Sequence, residues 1–393
     1  MKDFRPIALT SVLAKCMERI VCDRLTYISE ELLDPLQFAY RARRGVEDAT
    51  LALMHTITSH LDTSGTSVRV LFMDMSAAFN TIQHHILLEK LVNLNINANL
   101  IRWIREFLRD RPQHVLLSVN NANVSRIFSD AIILNSGAPQ GCILSPILFS
   151  LYINDIQIHD AILSLIKYAD DLALVAWLKG ETSLANYHLY INTLCQNLKD
   201  RFLELNVSKT KELILGNTLA LDLNHVVINN LDVERVDCFR YLGTHIDFKL
   251  GFNVHVEEII KKCRQRLFLI RKLKSFDVSQ KILKLIYTSL VESVLSFNIV
   301  TWHNYLNLRQ KNKLNSIIRM CNRIVGDNNM NVHELYMKAL KRKAKHCTSD
   351  PKHPLYSKFE LLPSRRRFRQ PLAKKCIYKK SFVPSAIALL NSL

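Results

Sequence analysis

Two adjacent carboxylates, Asp170 and Asp171, lie between two apolar runs of the sequence. At a hairpin, consecutive side chains point in different directions, so one carboxylate can face a cleft while its neighbour supports it. Carboxylates held close together repel one another unless a cation lies between them, and hard divalent cations such as Mg²⁺ take oxygen ligands of this kind. Alone, the pair is more often ordinary turn chemistry, because Asp is a common turn residue.

A third carboxylate favours metal chemistry over an ordinary turn. Asp74 ends the run Val68–Met73, whose β-branched and apolar residues predict a central buried strand. If that strand lies beside the Asp170-Asp171 hairpin, the three acids converge on one place. Two metal ions about 3.5–4 Å apart clamp the attacking and leaving oxygens in nucleotidyl transfer. The three carboxylates therefore predict a two-metal site for such a transfer.

Hydrophobic periodicity predicts the elements that position these acids. Strands interleave with helices up to about residue 250 and helices alone follow, which indicates an α+β domain and then a helical one. Ser145 and Pro146 predict the start of a helix that runs to about Ile158. Further expectations are paired strands at Val115–Val119 and Ile127–Leu134, a hairpin of Ile162–Tyr168 with Leu172–Trp177, and helices at Val46–His60, Glu181–Leu205, Val254–Ser275, Ser279–Val300 and Leu308–Val325.

Composition narrows the classes of protein. With 393 residues, 48% of them hydrophobic, the chain can bury a core in more than one domain. Nine cysteines without a C-x-x-C pair predict a reducing compartment and no disulfide-linked partner. The spacing of His346, Cys347, His353 and Cys376 matches no usual zinc-ligand pattern, so no metal is expected there. Charged and polar residues interrupt the apolar stretch Leu283–Leu306, which predicts a buried helix and no membrane partner.

Six short blocks follow one another along the chain. They are Phe4-Arg5-Pro6-Ile7 with Lys15 and Glu18; Gln37-Phe38-Ala39-Tyr40-Arg41; Phe72-Met73-Asp74 with Ala78-Phe79; Gly137-Ala138-Pro139-Gln140-Gly141 through Ser145-Pro146 and Phe149; Tyr168-Ala169-Asp170-Asp171; and Leu205-Asn206 with Lys209-Thr210-Lys211, followed by Tyr241-Leu242-Gly243. Together they resemble the reverse transcriptase of non-LTR (LINE-type) retrotransposons, of the jockey or chicken-repeat sort. Any one block is weakly specific, whereas six in this order and spacing are very specific.

The resemblance implies a right-hand polymerase of the α+β class. Its parts would be partial fingers at residues 1–60, a palm with an antiparallel sheet and helices at 61–250, a helical thumb at 251–330 and a basic C-terminal tail at 331–393. The implied reaction is RNA-directed DNA synthesis, in which deoxynucleoside triphosphates are added to the 3′-OH of a DNA primer on an RNA template. Two Mg²⁺ ions, or Mn²⁺ in their place, would assist.

The resemblance also assigns roles to individual residues. Asp74 and Asp170 would bind the metal ions, with Asp171 assisting and Met75 offering its backbone carbonyl. The implied nucleotide contacts are Arg5, Phe79, Gln140 and Lys209, and the implied template and primer contacts are Arg41, Gly141, Tyr168, Lys261, Lys262, Arg264 and Arg266. Several alternatives stay open. Lys15 and Arg41 are other candidates for the contact of Arg5 with the triphosphate, Phe79 is also explained by core packing, and Lys209 by an exposed surface position.

Three departures from the family pattern support a second hypothesis. Asn80 stands where the family has Asp after Ala-Phe, and Ala39 replaces a customary Gly. The chain also opens inside the fingers block, which predicts an N-terminal truncation and a missing endonuclease. The alternative is therefore a catalytically inactive or domesticated remnant that binds nucleic acid.

The net charge of +18 is unevenly distributed. Residues 1–254 contain 24 basic and 27 acidic residues, residues 255–330 contain 14 and 5, and residues 331–393 contain 15 and 3. The whole surplus lies in the predicted thumb and tail, where it is expected to contact nucleic-acid phosphates. A nuclear import signal is the competing interpretation of the tail, and the expected location is the nucleus, the cytoplasm or both, since no signal peptide opens the chain.

Overall fold

The computed structural model describes residues 7–63, 65–76, 78–120, 124–158, 160, 162–216, 225–326 and 330–392. The predicted nucleotide contact Arg5 lies outside the described residues, as do Phe4 and Pro6 of the same block. Arg5 therefore stays a prediction from the sequence.

Helices and strands alternate in the first two thirds of the chain, and helices dominate the last third. The helices are α1 (Val12–Ser29), α2 (Val46–Leu61), α3 (His84–Asn93), α4 (Ala98–Leu108), α5 (Ser145–Tyr152), α6 (Glu181–Asp200), α7 (Asn253–Lys274), α8 (Gln280–Tyr287), α9 (Ser293–Ser296), α10 (Ile299–Trp302), α11 (Leu308–Val325), α12 (Val332–Ser349), α13 (Cys376–Lys379) and α14 (Phe382–Ser392). The strands are β1 (Ser67–Ser76), β2 (Arg111–Gln113), β3 (Leu116–Asn120), β4 (Val124–Phe128), β5 (Ile132–Leu134), β6 (Leu163–Tyr168), β7 (Asp171–Leu178), β8 (Glu204–Leu205), β9 (Lys211–Gly216), β10 (Val227–Ile228), β11 (Leu231–Asp232), β12 (Glu234–Arg235), β13 (Cys238–Tyr241) and β14 (Thr244–Asp247).

A sheet with the strand order β12-β9-β1-β7-β6 is the centre of the fold, and β8 adds to the end of β1. Strand β1 is antiparallel to both of its neighbours, β7 and β9. Its residues alternate between two hydrophobic cores. Val68, Val70 and Phe72 face a core shared with α2 and the C-terminal helices, whereas Leu71 and Met73 face a core shared with α3 to α6. Both faces of β1 are therefore buried, which explains its continuous apolar run.

Residues 331–392, called here the C-terminal segment, fold onto the rest of the molecule. Leu335, Leu340 and Cys347 of α12 and Phe382 and Ile387 of α14 are buried in the same core as α2 and β1. A protein that lacked this segment would expose that core to water. The surplus charge of the segment therefore sits on an integral part of the fold.

Helix α2 is held at both ends by the C-terminal segment. At its first turn, the carboxylate of Asp48 accepts hydrogen bonds from Lys343 and His353, each at 3.0 Å. At its last turn, Asp62 accepts hydrogen bonds from the backbone N–H groups of Lys374 (3.0 Å) and Lys375 (2.6 Å). In addition, Asp48 Oδ2 accepts the N–H of Gly45 at 3.0 Å, and Lys375 Nζ donates to the carbonyl of Leu61 at 2.6 Å, which pairs groups that a helix leaves free at its two ends. The C-terminal segment thus fixes the length and position of α2 on the sheet.

Four elements differ from the sequence expectations. Strand β3 pairs with β4, which starts at Val124 and not at Ile127 as expected. The polar residues at the start of β4 hide it from the hydrophobic pattern. Ile132–Leu134, expected in the same strand, pairs instead with β2. Helix α5 ends at Tyr152, and the side chain of Asn154 just beyond it binds the backbone of Leu32 and Asp34. The expected helix Glu181–Leu205 ends at Asp200, and Glu204–Leu205 forms β8 against β1.

The fourth difference concerns the apolar stretch after Gln280. By length and composition, Gln280–Tyr305 could cross a membrane, but it is not one continuous helix. A π-helical turn spans Thr288–Glu292, and Asn298 adopts a left-handed conformation with φ of +49°. The amide of Asn298 donates to Thr244 Oγ1 at 2.9 Å, which ties this break to the β13–β14 hairpin. Tyr287, Val291, Leu295 and Ile299 form a fully buried face of this segment.

Replacing Asp48 with Asn should destabilise the protein in a pH-dependent way. Burial alone would raise the pKa of Asp48, but the hydrogen bond from His353 and the ammonium of Lys343 outweigh it and lower the pKa to about 2. A depressed carboxyl pKa adds stability that is present above the unfolded-state value and disappears as the pH falls towards the folded-state value. We expect Asp48→Asn to lower the free energy of unfolding by about 3 kcal/mol at pH 7, and the difference from the parent to narrow as the pH falls from about 4 towards about 2.

Urea unfolding at several pH values measures this difference. Lys352→Met is the matched control, because Lys352 forms an exposed ion pair with Glu31 and should change stability by no more than about 0.5 kcal/mol at either pH. Equal losses of stability for the two substitutions, or a loss for Asp48→Asn that is independent of pH, would show that the ion pair of Asp48 with Lys343 does not hold α2 in place.

Candidate active site

The three predicted carboxylates lie at one edge of the central sheet. Asp74 near the end of β1 is directly opposite Asp171 at the start of β7, so the two side chains project from the same face of the sheet with Cβ atoms about 4.5–5.5 Å apart. Asp170 lies in the two-residue turn between β6 and β7. The pairing of Tyr168 with Asp171 closes this turn. Ala169, the other turn residue, adopts a left-handed conformation with φ of +55°. The sheet therefore brings Asp74, Asp170 and Asp171 together, as the sequence predicted.

A cation is already drawn to this group of acids. Lys209 Nζ lies 3.4 Å from Asp74 Oδ2, and its side chain is 62% exposed. The backbone N–H of Asn206 donates to the carbonyl of Asp74 at 2.9 Å, which holds the loop of Lys209 beside β1. The ammonium is thus loosely held beside Asp74.

The donor set fits a hard divalent cation. Its side-chain ligands are carboxylate oxygens, which Mg²⁺ and Mn²⁺ prefer, and Asp74 is only one quarter exposed. Met75 follows Asp74 on β1 with a buried side chain and pairs with Leu205 of β8. The backbone carbonyl role of Met75 stays a prediction.

Aromatic rings cover the sheet beside the acids. Phe72 stacks on Phe239 at a centroid distance of 4.2 Å and lies 5.3 Å from Tyr241, which belong to the β13–β14 hairpin. Tyr168 is half-buried against the same core, and burial followed by the carboxylate of Asp171 raises the pKa of Tyr168. Tyr168 therefore borders the acids with one side of its ring in the core, and its predicted contact with template or primer stays a prediction.

The loop Gly137–Gly141 is fastened to the segment that follows β1. The N–H of Gly137 donates to the carbonyl of Ile82 and that of Ala138 to the carbonyl of Phe79, each at 2.7 Å. A Cβ atom on Gly137 would lie 2.7 Å from the carbonyl oxygen of Asn80, and the residue has φ of +72°. Both the close approach and the conformation require glycine.

Three predicted nucleotide and template residues lie on these two loops. Phe79 is half-buried 4.8 Å from the ring of Phe149, so the packing interpretation is confirmed for one part of its surface. The Nε2 atom of Gln140 donates to Oδ1 of Asn80 at 3.1 Å. Gly141 has φ of +96°, and a Cβ there would lie 3.2 Å from the carbonyl oxygen of Ala8. The structure brings Phe79 and Gln140 together and places Gly141 against the N-terminal residues.

Polar residues to which the sequence assigned no role support these loops and the neighbouring strand. Glu18 of α1 accepts hydrogen bonds from the N–H groups of Ile143 (2.7 Å) and Leu144 (3.3 Å) at the start of α5. Arg111 donates from Nη2 to the carbonyls of Ser136 and Gly137, each at 2.8 Å. Lys167 on β6 is fully buried and pairs with Asp34 at 2.8 Å. A charged residue inside the apolar run Leu163–Tyr168 was the available signal for Lys167, because buried lysines are rare unless paired.

Five predicted nucleic-acid contacts lie on other elements. The guanidinium of Arg41 donates to the backbone carbonyls of Asp34, Gln37 and Glu30. On α7, Lys261 and Arg264 are exposed, whereas Lys262 pairs with Glu258 at 2.5 Å and Arg266 donates to the carbonyl of Leu290. Lys261 and Arg264 are thus available to a ligand in this structure, while Arg41, Lys262 and Arg266 already bind within the protein.

A second group of possible metal ligands lies at the start of α2. One ligand atom each of Asp48, His346 and His353 lies within 4.8 Å of the others. His353 Nδ1 accepts the N–H of Leu355 at 3.0 Å, so the proton of the neutral ring is on Nε2 and points to Asp48. A metal-binding histidine instead donates from its second nitrogen, and the ammonium of Lys343 already occupies the cation position. The donor set therefore fits a buried ion-pair network and does not fit a metal ion.

Comparison with known proteins identifies two matching family descriptions. The family described as "Reverse transcriptase (RNA-dependent DNA polymerase)" matches residues 1–246, which is more than half of the chain. The family described as "Alkylated DNA repair protein alkB homolog 8, N-terminal" matches only residues 252–293, a stretch too short to show membership.

Curated relatives match over most of this chain. The "Probable RNA-directed DNA polymerase from transposon BS" of Drosophila melanogaster is 26% identical over 77% of this chain and 34% of its own length. The "RNA-directed DNA polymerase from mobile element jockey" of the same species is 24% identical over 67% of this chain and 29% of its own length. The chain thus spans about a third of the length of the curated relatives that it matches.

Solved structures of telomerase also align with the chain. Apo telomerase from Candida tropicalis is 12% identical over 86% of this chain and 60% of its own, with a TM-score of 0.41. At that TM-score the likeness adds nothing to the assignment.

Replacing Gly137 with Ala should destabilise the protein. The new Cβ would collide with the backbone of Asn80, so the two loops must separate and Phe79 must shift with them. Gly65→Ala is the matched control, because Gly65 has almost the same φ of +71° but no atom within 4 Å of the new Cβ. We expect Gly65→Ala to cost about 1 kcal/mol from conformational strain alone and Gly137→Ala to cost at least about 2 kcal/mol.

Thermal or urea unfolding of both variants measures the difference. Equal stability losses for the two variants would show that the close approach of Gly137 to Asn80 is unimportant.

Proposed function

The chain belongs to the reverse transcriptase (RNA-dependent DNA polymerase) family, with relatives from non-LTR retrotransposons, and we propose that it synthesises DNA on an RNA template. The observation that carries the proposal is the placement of Asp74 opposite Asp171 with Asp170 in the adjoining turn. Carboxylates grouped in this way are needed for metal-assisted nucleotidyl transfer.

Members of the family use divalent metal ions, and we propose two Mg²⁺ ions here, which Mn²⁺ can replace. Asp74, Asp170 and Asp171 would hold them, with the carbonyl of Met75. When bound, such ions neutralise charge on the phosphates and lower the pKa of an attacking hydroxyl. Lys209, 3.4 Å from Asp74, would move aside and protonate an oxygen of the departing pyrophosphate through Nζ.

The substrates in this proposal are deoxynucleoside triphosphates, an RNA template and a DNA primer. Phe79 lies five residues after Asp74 in the segment that follows β1 and is partly exposed, and its ring would exclude a ribose 2′-OH. Gln140 and Gly141 belong to a loop without bulky side chains, which supports close approach of the templating base. Tyr168 borders the turn of Asp170 and would contact the primer end.

The thumb and the C-terminal segment would bind nucleic-acid phosphates. Lys261 and Arg264 on α7 are exposed. A second set, called here the α12 basic stripe, consists of Lys338, Lys341, Arg342 and Lys345, spaced three and four residues apart and all exposed. Among the residues that the structure describes, these four form no ion pair, although like charges at such spacings destabilise a helix. The opposite face of α12 is buried in the core, so the helix backbone that carries these cations is fixed.

Replacing Asp170 with Asn should abolish DNA synthesis while the protein stays folded. The purified chain should extend a DNA primer on an RNA template in Mg²⁺, and Asp170→Asn should reduce the rate by at least about 10³-fold, because it removes a metal ligand. Asp130→Asn, which removes an exposed carboxylate outside the site, should leave the rate unchanged. Extension by Asp170→Asn at the parent rate would refute the assignment of the hairpin, and nucleic-acid binding without extension by the parent would favour the remnant hypothesis.

Neutralising the α12 basic stripe should lower the salt dependence of duplex binding. Each lost phosphate contact reduces the slope of log K against log salt by roughly 0.7–0.9. The quadruple Lys338→Gln, Lys341→Gln, Arg342→Gln, Lys345→Gln variant is compared with a control of equal charge, Arg102→Gln, Arg109→Gln, Lys179→Gln, Lys199→Gln, whose residues are exposed in the first 254 residues. Fluorescence anisotropy between low and moderate salt measures both slopes. A stripe variant with the slope of the control would show that the stripe does not contact phosphates.

A further inference from the structure

The loop from Asp34 to Gly45 lies against β6 and is fixed at both ends. At one end, Asp34 pairs with buried Lys167 at 2.8 Å, and Lys167 also donates to the carbonyls of Ile153 and Ile156. At the other end, Asp48 accepts the N–H of Gly45 at 3.0 Å. Between these ends, Gln37 forms a β-bridge with Lys167 of β6, and the N–H of Phe38 donates to the carbonyl of Lys167 at 3.0 Å. The loop is thus a fixed wall along the strand that leads into the Asp170 turn.

Gln37 is the residue of this wall that reaches the turn itself. Its side-chain Oε1 accepts the N–H of Ala39 at 3.1 Å and the N–H of Ala169 at 3.4 Å. Only 1% of Gln37 is exposed. Two donors facing the same atom identify it as the carbonyl oxygen, because an amide nitrogen in that position would face N–H groups. The orientation of the carboxamide is therefore determined by the backbone around it.

Ala169 needs such a partner. It is a non-glycine residue with φ of +55°, a conformation that persists only where the surroundings enforce it. Ala169 is also buried, so water does not replace the hydrogen bond from its N–H group. Since Ala169 directly precedes Asp170, the direction of its peptide sets where the Asp170 carboxylate points.

The Nε2 atom of Gln37 shows that the residue is not chosen for stability alone. This atom is buried and has no hydrogen-bond partner among the residues that the structure describes. A buried unpaired amide donor is unfavourable, and a methionine of similar volume would avoid it. Gln37 thus keeps an unfavourable unpaired Nε2, which indicates that its Oε1, the acceptor for Ala39 and Ala169, has a role beyond stability.

We propose that Gln37 is a positioning residue for the catalytic turn: its Oε1 holds the Ala169 peptide so that the Asp170 carboxylate meets those of Asp74 and Asp171. Gln37 acts through Ala169 and touches no substrate. The inference rests on the proposed function for its consequence in catalysis, but the effect on metal binding does not depend on polymerisation.

Gln37→Met tests the proposal, with Gln310→Met as the matched control. Gln310 is also buried, and its Nε2 donates to the carbonyl of Gly251 and to Asn253 Oδ1 in the thumb. Both variants therefore lose buried hydrogen bonds of one glutamine, but only Gln37 contacts the turn. Gln37→Glu keeps an acceptor oxygen and serves as the rescue variant.

The first measurement is Mn²⁺ binding by electron paramagnetic resonance, without primer or nucleotide. We expect about tenfold weaker Mn²⁺ binding in Gln37→Met, binding within twofold of the parent in Gln310→Met, and recovery towards the parent in Gln37→Glu. The second measurement is primer extension, where kcat should fall about tenfold in Gln37→Met with the KM for the nucleotide within twofold, a split expected when only the reacting geometry is disturbed.

Equal Mn²⁺ affinities for Gln37→Met and Gln310→Met would overturn the proposal, as would a Gln37→Glu variant no better than Gln37→Met in both assays. A parent that binds Mn²⁺ but extends no primer would refute the proposed polymerase function, and the Mn²⁺ affinities of the variants would still decide the role of Gln37.

Discussion

The antiparallel register between β1 and β7 is the constraint on which the site depends. It places Asp74 opposite Asp171, and a shift by one residue would turn Asp74 into the opposite core. The register is itself fixed by two hydrophobic cores, because alternate residues of β1 belong to different ones. Burial of apolar side chains on both faces of the sheet therefore determines the position of polar groups at its edge.

The acids also depend on residues far away in the sequence. Helix α2 packs on the face of the sheet from which the acids project, and the C-terminal segment grips both ends of α2 through Asp48 and Asp62. The loop before α2 continues this support to the Asp170 turn through Gln37. The reverse transcriptase family matches residues 1–246. The residues after this match thus complete the scaffold that supports the matched part.

Local chemistry made much of this structure predictable. The apolar run before Asp74, the Asp170-Asp171 hairpin and the Ser145-Pro146 helix start are each encoded by neighbouring residues, and each lies where the sequence predicts. Long-range pairings were not predictable in this way. The break at Asn298 depends on Thr244, and the folded state of residues 331–392 depends on α2, so neither leaves a local pattern. Basic residues along α12 suggested a tail that contacts phosphates, because their spacing does not reveal that Leu335 and Leu340 of the same helix are buried.

The grip of the C-terminal segment on α2 has a consequence for synthesis of the chain. Asp48 and Lys343 are 295 residues apart, and a ribosome that adds about 5–20 residues per second needs tens of seconds to span that distance. During this time α2 and the sheet lack part of the core that covers them, which leaves apolar surface open to chaperones and to aggregation. Closure of this core therefore follows the synthesis of α12, and a chain that ends before Lys343 never reaches it. In this way the fold itself distinguishes chains that contain the C-terminal segment from chains that lack it.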